Sequence, residues 1–287
     1  PAGPVGDLEV QARLRGGPKG VALTGLTAKA GDLVLRGDVV VGLGGPRPDI
    51  KANLTAGAIV IDPFLPARKS ASLWPGWPGL KIIPVATRRG GAQWSNDPID
   101  LSGLAGIDAR LALKTPSLQF ERYALQNADL SVTLGKGRLS IDKLTGVIFG
   151  GALQATAAAT TTARPRIETV IALENMSVEQ ATRALTGASM AGGKLGLQLN
   201  LATAGGSVAG LISGLNGKGA LRLKGIDVRQ GKTGTMLAGA LGLVSAMNKV
   251  SGLFGGKKSS GKVDISGTFA IQGGVANTRD MRIVSGL

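Results

Sequence analysis

The sequence predicts a mainly β fold. The expected form is a large, strongly curved antiparallel sheet making a groove (taco-like or an open barrel) with an apolar interior and about three short helices. Three observations carry this. Apolar and polar residues alternate over many short segments, glycine-rich turns separate those segments, and helical periodicity appears in only three places.

The alternation starts near the N-terminus, where Leu8, Val10, Ala12 and Leu14 interleave with Glu9, Gln11 and Arg13. It returns at Ile107, Ala109, Leu111 and Leu113, and again at Ala128, Leu130, Val132 and Leu134. Leu195, Leu197, Leu199 and Leu201 repeat it, as do Val263, Ile265, Phe269 and Ile271. Successive side chains of a strand point to opposite faces, so each segment is apolar on one side and wet on the other. That pattern belongs to antiparallel sheets rather than to parallel strands buried on both faces. Lys29-Ala30-Gly31-Asp32, Gly135-Lys136-Gly137 and Gln272-Gly273-Gly274 supply glycine where tight turns need positive φ. A weak internal repeat follows, since Val132 to Phe149 echoes Phe269 to Gly286 as strand, glycine turn and strand.

Helical patterns are expected near 177–186, 207–215 and 233–254. Ser177 is placed to N-cap the first, with Gln180 completing a capping box and Gly187 ending it. Val208, Leu211, Ile212 and Leu215 make the stripe of the second. In the third, Met236, Leu243, Met247 and Phe254 lie on one stripe and are candidates for a helix that caps or gates the groove. Between Asp62 and Asp100 the periodicity fails, and prolines and all three tryptophans gather there. The expected organisation is therefore an N-terminal strand layer at 1–66, an irregular connection at 67–100 and the main sheet at 101–287.

Composition narrows the function. The 287 residues contain no cysteine and no histidine, which removes disulfides, thiolate or imidazole metal sites, and imidazole bases. No catalytic residue and no cofactor is expected. The net charge is +15, and the stretch from Leu201 to Leu287 holds eleven Lys/Arg against three Asp/Glu. Such a balance suits anionic partners, either nucleic acid or lipid headgroups. Aromatics at 3% are too few for base stacking, so nucleic acid is not expected. The chain opens on Pro1-Ala2-Gly3-Pro4 and runs into a strand pattern, which reads as a fragment of a longer protein.

A dozen or more one-sided strands expose more aliphatic surface than three short helices cover. The sheet can fold on itself as a sandwich, close as a barrel, or curl into a trough that meets an apolar ligand. The trough suits acyl chains. Shielding about 0.8 kcal/mol per methylene amounts to about 12 kcal/mol for a sixteen-carbon chain. Candidate lining residues are Ile107, Leu111, Leu113, Leu130, Val132, Leu195, Leu197, Leu199, Leu221, Leu223, Ile265, Phe269 and Ile271. Trp94 reads as a plug at a sheet end or as a lipid contact. Lys257-Lys258 and Arg88-Arg89 read as solvated loop charges or headgroup contacts.

Several stretches resemble the AsmA family of Gram-negative envelope proteins. They are Ile61 to Pro66, Trp94-Ser95-Asn96-Asp97-Pro98-Ile99-Asp100-Leu101, Leu144 to Gly151, Leu215-Asn216-Gly217-Lys218-Gly219, and Val263 to Val284. Lys81 to Val85 departs from the pattern by being more strand-like. The resemblance implies a periplasmic protein held in the inner membrane by an N-terminal helix absent from this chain. It further implies phospholipid movement between membranes, outer-membrane homeostasis, and relation to bridge-like lipid-transfer proteins. Expected partners are phospholipid or another acyl-chain lipid, the membrane through that anchor, and envelope proteins. The alternative is a structural or assembly factor for outer-membrane biogenesis with a closed, dry sheet.

Overall fold

The computed structural model describes residues 8–61, 94–120, 123–186, 192–227 and 262–285. Among them are fifteen strands. The first nine are β1 (Leu8–Gly17), β2 (Gly20–Ala30), β3 (Leu33–Gly42), β4 (Asp49–Ala56), β5 (Ile59–Val60), β6 (Asp108–Phe120), β7 (Tyr123–Gly135), β8 (Arg138–Ile148) and β9 (Gly151–Thr160). The rest are β10 (Arg166–Ser177), β11 (Lys194–Ala204), β12 (Asn216–Asp227), β13 (Lys262–Gln272), β14 (Val275–Asn277) and β15 (Arg282–Ser285). Two α-helices interrupt them, α1 (Val178–Thr186) and α2 (Val208–Ser213). The strands hydrogen-bond in chain order as one open sheet that does not close. β5 lies beside β6, and β14 and β15 both lie beside β13.

Two compact units divide the chain. The first holds described residues 8–61, 98–120, 123–148 and 152–170, and the second holds 94–97, 149–151, 171–186, 192–227 and 262–285. In the first, β1 to β4 form an antiparallel meander and β6 to β8 another. In the second, β11, β12 and β13 are antiparallel in turn.

The expected all-antiparallel pairing fails at one place. β4 pairs parallel with β6, Asp49 beside Asp108 through Thr55 beside Lys114, and β5 continues along β6. A parallel neighbour requires a long return of the chain. Residues 57–107 supply it, and most of the irregular Pro/Trp-rich stretch (62–93) lies outside the described residues.

The three expected tight turns form at 31–32, 136–137 and 273–274, with Gly31, Lys136, Gly137, Gly273 and Gly274 all at positive φ. Helix α1 also matches its pattern. Ser177 Oγ accepts from the Gln180 N–H at 3.3 Å. The reciprocal half of the capping box is not made, because the Ser177 N–H donates instead to the Phe149 carbonyl at 2.9 Å. Helix α2 is shorter than expected, six residues in place of 207–215, capped by Ser207 Oγ and closed at Gly214. Glycines at 210 and 214 weaken helix continuation, and β12 begins at Asn216. The third expected helix, with Met236, Leu243, Met247 and Phe254, lies outside the described residues.

A recurring bulge holds the apolar face in phase. In β2 the apolar positions run 21, 23, then 26, 28, and Leu23 and Leu26 oppose Val39 and Gly37 on one face of β3. The extra residue is accommodated at Gly25, at φ +60, whose N–H donates to Asp38 Oδ1 at 2.9 Å. In the second unit β12 repeats this. Leu223 and Ile226 oppose Ile265 and Val263, Gly225 sits at φ +65, and its N–H donates to Asp264 Oδ1 at 2.7 Å. Asn127 and Asn175 adopt the same conformation in Leu125-Gln126-Asn127-Ala128 and Leu173-Glu174-Asn175-Met176. All six apolar residues flanking Asn127, Asn175 and Gly225 are buried. A one-residue bulge re-aims every later side chain, so the hydrophobic period slips by one and the face is kept.

Two predictions follow from these contacts. An ideal Cβ at Gly25 meets nothing within 4 Å, so its only cost is backbone conformation. Gly25→Asn should be nearly neutral, as Asn127 and Asn175 show, while Gly25→Val should cost about 1–3 kcal/mol in urea unfolding. Asp280 accepts from the Thr268 hydroxyl and N–H, both at 2.8 Å, and these bonds, the hydroxyl first, hold its carboxyl below the ordinary range. A depressed carboxyl stabilises above its unfolded pKa and loses that contribution as pH falls through the folded one. Asp280→Ala should therefore raise Thr268 amide exchange near neutral pH, with the difference from wild type shrinking in strong acid. Exchange measured by NMR checks both.

Candidate functional site

In the first unit the strand registers bring the aliphatic residues into transverse rows. One row crosses seven strands: Leu14, Leu23, Val39, Ala52, Leu111, Val132 and Ile141, each directly opposite the next. A second runs Leu26, Gly37, Leu54, Leu113, Leu130 and Leu144. A third runs Val21, Val41, Ile50, Ala109, Leu134 and Leu139. Residues two apart along a strand share a face, so the three rows tile one surface. From Leu23 to Ile141 every member of the first row is half-buried, and of all three rows only Leu134 is buried. Neither described α-helix belongs to this unit.

The other face of the same strands carries Arg36, Lys51, Asn53, Thr55, Arg110 and Lys114, all exposed. Lys51 lies beside Arg110 in the parallel pair. Lys143 Nζ donates to Asp129 Oδ2 at 2.7 Å. That bond is the main reason the Asp129 carboxyl sits below its ordinary range, with the charges of Lys143 and Lys114 adding to it. Buried Thr115 follows Leu113 on β6, and its hydroxyl lies 2.6 Å from the Gly57 carbonyl and 2.9 Å from that of Ser117. A polar group that is already satisfied thus interrupts the apolar strip of β6, which resumes at Leu118 opposite Leu125.

The second unit uses its apolar face differently. Leu195, Leu223 and Ile265 are in register, as are Leu199, Gly219 and Phe269, and Leu201, Gly217 and Ile271. Val178, the first residue of α1, joins Leu221, Leu223 and Ile226 in a buried cluster on which Leu195, Leu197, Ile265 and Phe269 pack. The Phe269 ring occupies the space above Gly219, with its Cζ where a Cβ would stand. A glycine is required there for the ring to lie across β12.

The expected lining residues therefore fall into two groups. Leu111, Leu113, Leu130 and Val132 lie together on the row surface, with Ile107 just before β6 and half-buried. Leu195, Leu197, Leu199, Ile265, Phe269 and Ile271 are half-buried on the strands of the second unit, and of these Leu195, Leu197, Ile265 and Phe269 pack on its cluster. Leu221 and Leu223, at 4% and 2% exposure, are core under Val178 rather than an open lining. Trp94 is half-buried, and the neighbouring Ser95 carbonyl accepts from Ala209 of α2 at 3.0 Å. Leu23, Leu26, Val39, Ile50, Leu54, Ile141 and Leu144 were not expected at the site. The signal for Leu23 and Leu26 is the slipped alternation at Gly25, whereas the parallel register that sets Ile50 and Leu54 beside β6 has none in the sequence.

Among the described residues no three acidic side chains converge as a metal cage, and no helix is long and apolar enough to cross a membrane. The row surface is aliphatic and offers contacts without direction. Leu223→Ala should cost about 2–5 kcal/mol, as a buried leucine does, whereas Leu111→Ala should cost roughly half that or less. Equal losses in urea titration would show that both are core.

The sequence model of the AsmA family matches residues 25–281 of the chain. No curated protein and no solved structure matches it.

Proposed function

The chain belongs to the AsmA family, and we propose that it is a non-enzymatic lipid-binding and lipid-transfer module of the cell envelope. The observation that carries the reading is the aliphatic surface spanning β2 to β8, half-buried at every row position but Leu134, in a unit to which neither described α-helix belongs. Bulges at Gly25 and Asn127 bend the strands that hold them, which favours a surface dished into a groove. Acyl chains lie along the rows and the headgroup stays in water. Each methylene kept from water is worth about 0.8 kcal/mol, and a smooth aliphatic floor has no polar group to arrest sliding. Family membership supports the rest of the proposal. The module works in the periplasm as part of a protein anchored in the inner membrane, and it moves phospholipid between the inner and outer membranes.

The packed cluster beneath Val178 favours a second reading of the chain, a structural or assembly factor with a closed, dry sheet that acts through envelope protein partners. A photoreactive residue at Leu111 separates the two. It should crosslink phospholipid in cells, and the same probe at Arg110, on the opposite face, should not. Protein crosslinks at both positions with no lipid would remove the lipid reading. Native mass spectrometry should show co-purifying phospholipid that Leu111→Glu displaces while circular dichroism is unchanged.

A further inference from the structure

The second unit packs its apolar side and shows its polar one. Leu221, Leu223 and Ile226 are buried with Val178, so the alternate residues of β11, β12, β13 and β15 are what meets water. That set is cationic. Lys194, Lys218, Arg222, Lys224 and Arg282 are all exposed. From Lys194 to Asp227 and from Lys262 to Ser285 the chain holds seven Lys/Arg against three Asp/Glu.

Register brings these charges together. Lys194 stands directly opposite Lys224, and Arg222 is the next residue of β12 on the same face. Like charges directly opposed destabilise a strand pair, so the fold holds Lys194 beside Lys224 at a cost. Arg222, Ser266 and Arg282 lie in one transverse row. Strand spacing sets the two arginine Cα atoms about 10 Å apart, so both guanidinium groups reach a phosphate lying over Ser266. The charges are also left uncompensated. In the first unit Lys51, Arg138 and Lys143 pair with Asp49, Glu168 and Asp129, but none of the five cations here makes an ion pair among the described residues. Asp264 and Asp280 are engaged elsewhere, the first by the Gly225 N–H at 2.7 Å and the second by the Thr268 N–H and hydroxyl at 2.8 Å.

We propose that this face docks the second unit on the anionic headgroup surface of a phospholipid membrane. Unpaired cations spread over four strands suit an array of headgroup phosphates, to which each Lys or Arg adds its own attraction. Among the described residues the face carries no aromatic side chain on which a nucleic-acid base could stack. The proposal goes beyond acyl-chain binding on the rows of the first unit and does not depend on it.

Vesicle co-sedimentation of the whole chain tests it. The protein should bind vesicles of equal parts phosphatidylcholine and phosphatidylglycerol, ignore vesicles of phosphatidylcholine alone, and be released by added salt. Arg222→Gln with Arg282→Gln should weaken binding by about tenfold or more. Lys194→Gln should weaken it severalfold while raising the urea midpoint, because the repulsion with Lys224 is relieved, an outcome that misfolding does not give. Lys51→Gln with Arg110→Gln removes as much charge from the polar face of the first unit and should change binding far less. Phospholipid that co-purifies on the rows should be the same in the Arg222/Arg282 variant as in wild type, so the two proposals fail separately. No binding to the anionic vesicles at low salt overturns this one. So does an equal loss from the Lys51/Arg110 pair, or binding to duplex DNA that survives the salt at which the vesicles are released.

Discussion

The constraint on which everything else depends is phase. A strand has one apolar face only while its alternation keeps step with its neighbours, and a slip of one residue sends that face to the wrong side. In this chain consecutive strands are neighbours nearly throughout, so an error in one would pass to the next. The bulges at Gly25 and Gly225, with the same backbone at Asn127 and Asn175, absorb the slips that the sequence itself contains. Asp38 and Asp264 each accept the freed glycine N–H, so the extra residue leaves no stranded donor. These positions therefore hold the registers that line up Leu23, Val39, Ala52, Leu111 and Val132.

Each unit has its own apolar face, and the two treat it differently. The second lays the start of α1 on it, and Leu221, Leu223 and Ile226 become core. In the first, the same kind of leucines stay half-buried across six strands. Aliphatic surface held partly open is unfavourable in water, by about 25 cal/mol per Å2. That cost is what the proposed acyl chain would relieve.

Much of the architecture was legible in the residues. The strands around Leu111, Leu130, Leu197 and Ile265, the glycine turns, and the helix after Ser177 rest on local rules of alternation, φ preference and capping. Other features escaped because they are not local. The parallel pairing of β4 with β6 joins segments some fifty residues apart, and no periodicity announces it. The Ser177 N–H could have gone to Gln180, but the Phe149 carbonyl competes for it and is distant in sequence. The bulges were within reach, since Leu23-Thr24-Gly25-Leu26 and Leu223-Lys224-Gly225-Ile226 both break the alternation at a glycine.

The open apolar face began as a pattern of alternating residues and became a surface only through register. By itself the sequence determined that the strands are one-sided and where they turn. It also excluded cysteine and histidine chemistry, because side-chain type and near-neighbour sterics decide these things. Which leucines meet, and that Leu221 and Leu223 are buried while Leu111 and Val132 are not, was decided only by the tertiary structure. Those outcomes depend on which distant strands pair and on what packs over them, and no short stretch of chain carries that information.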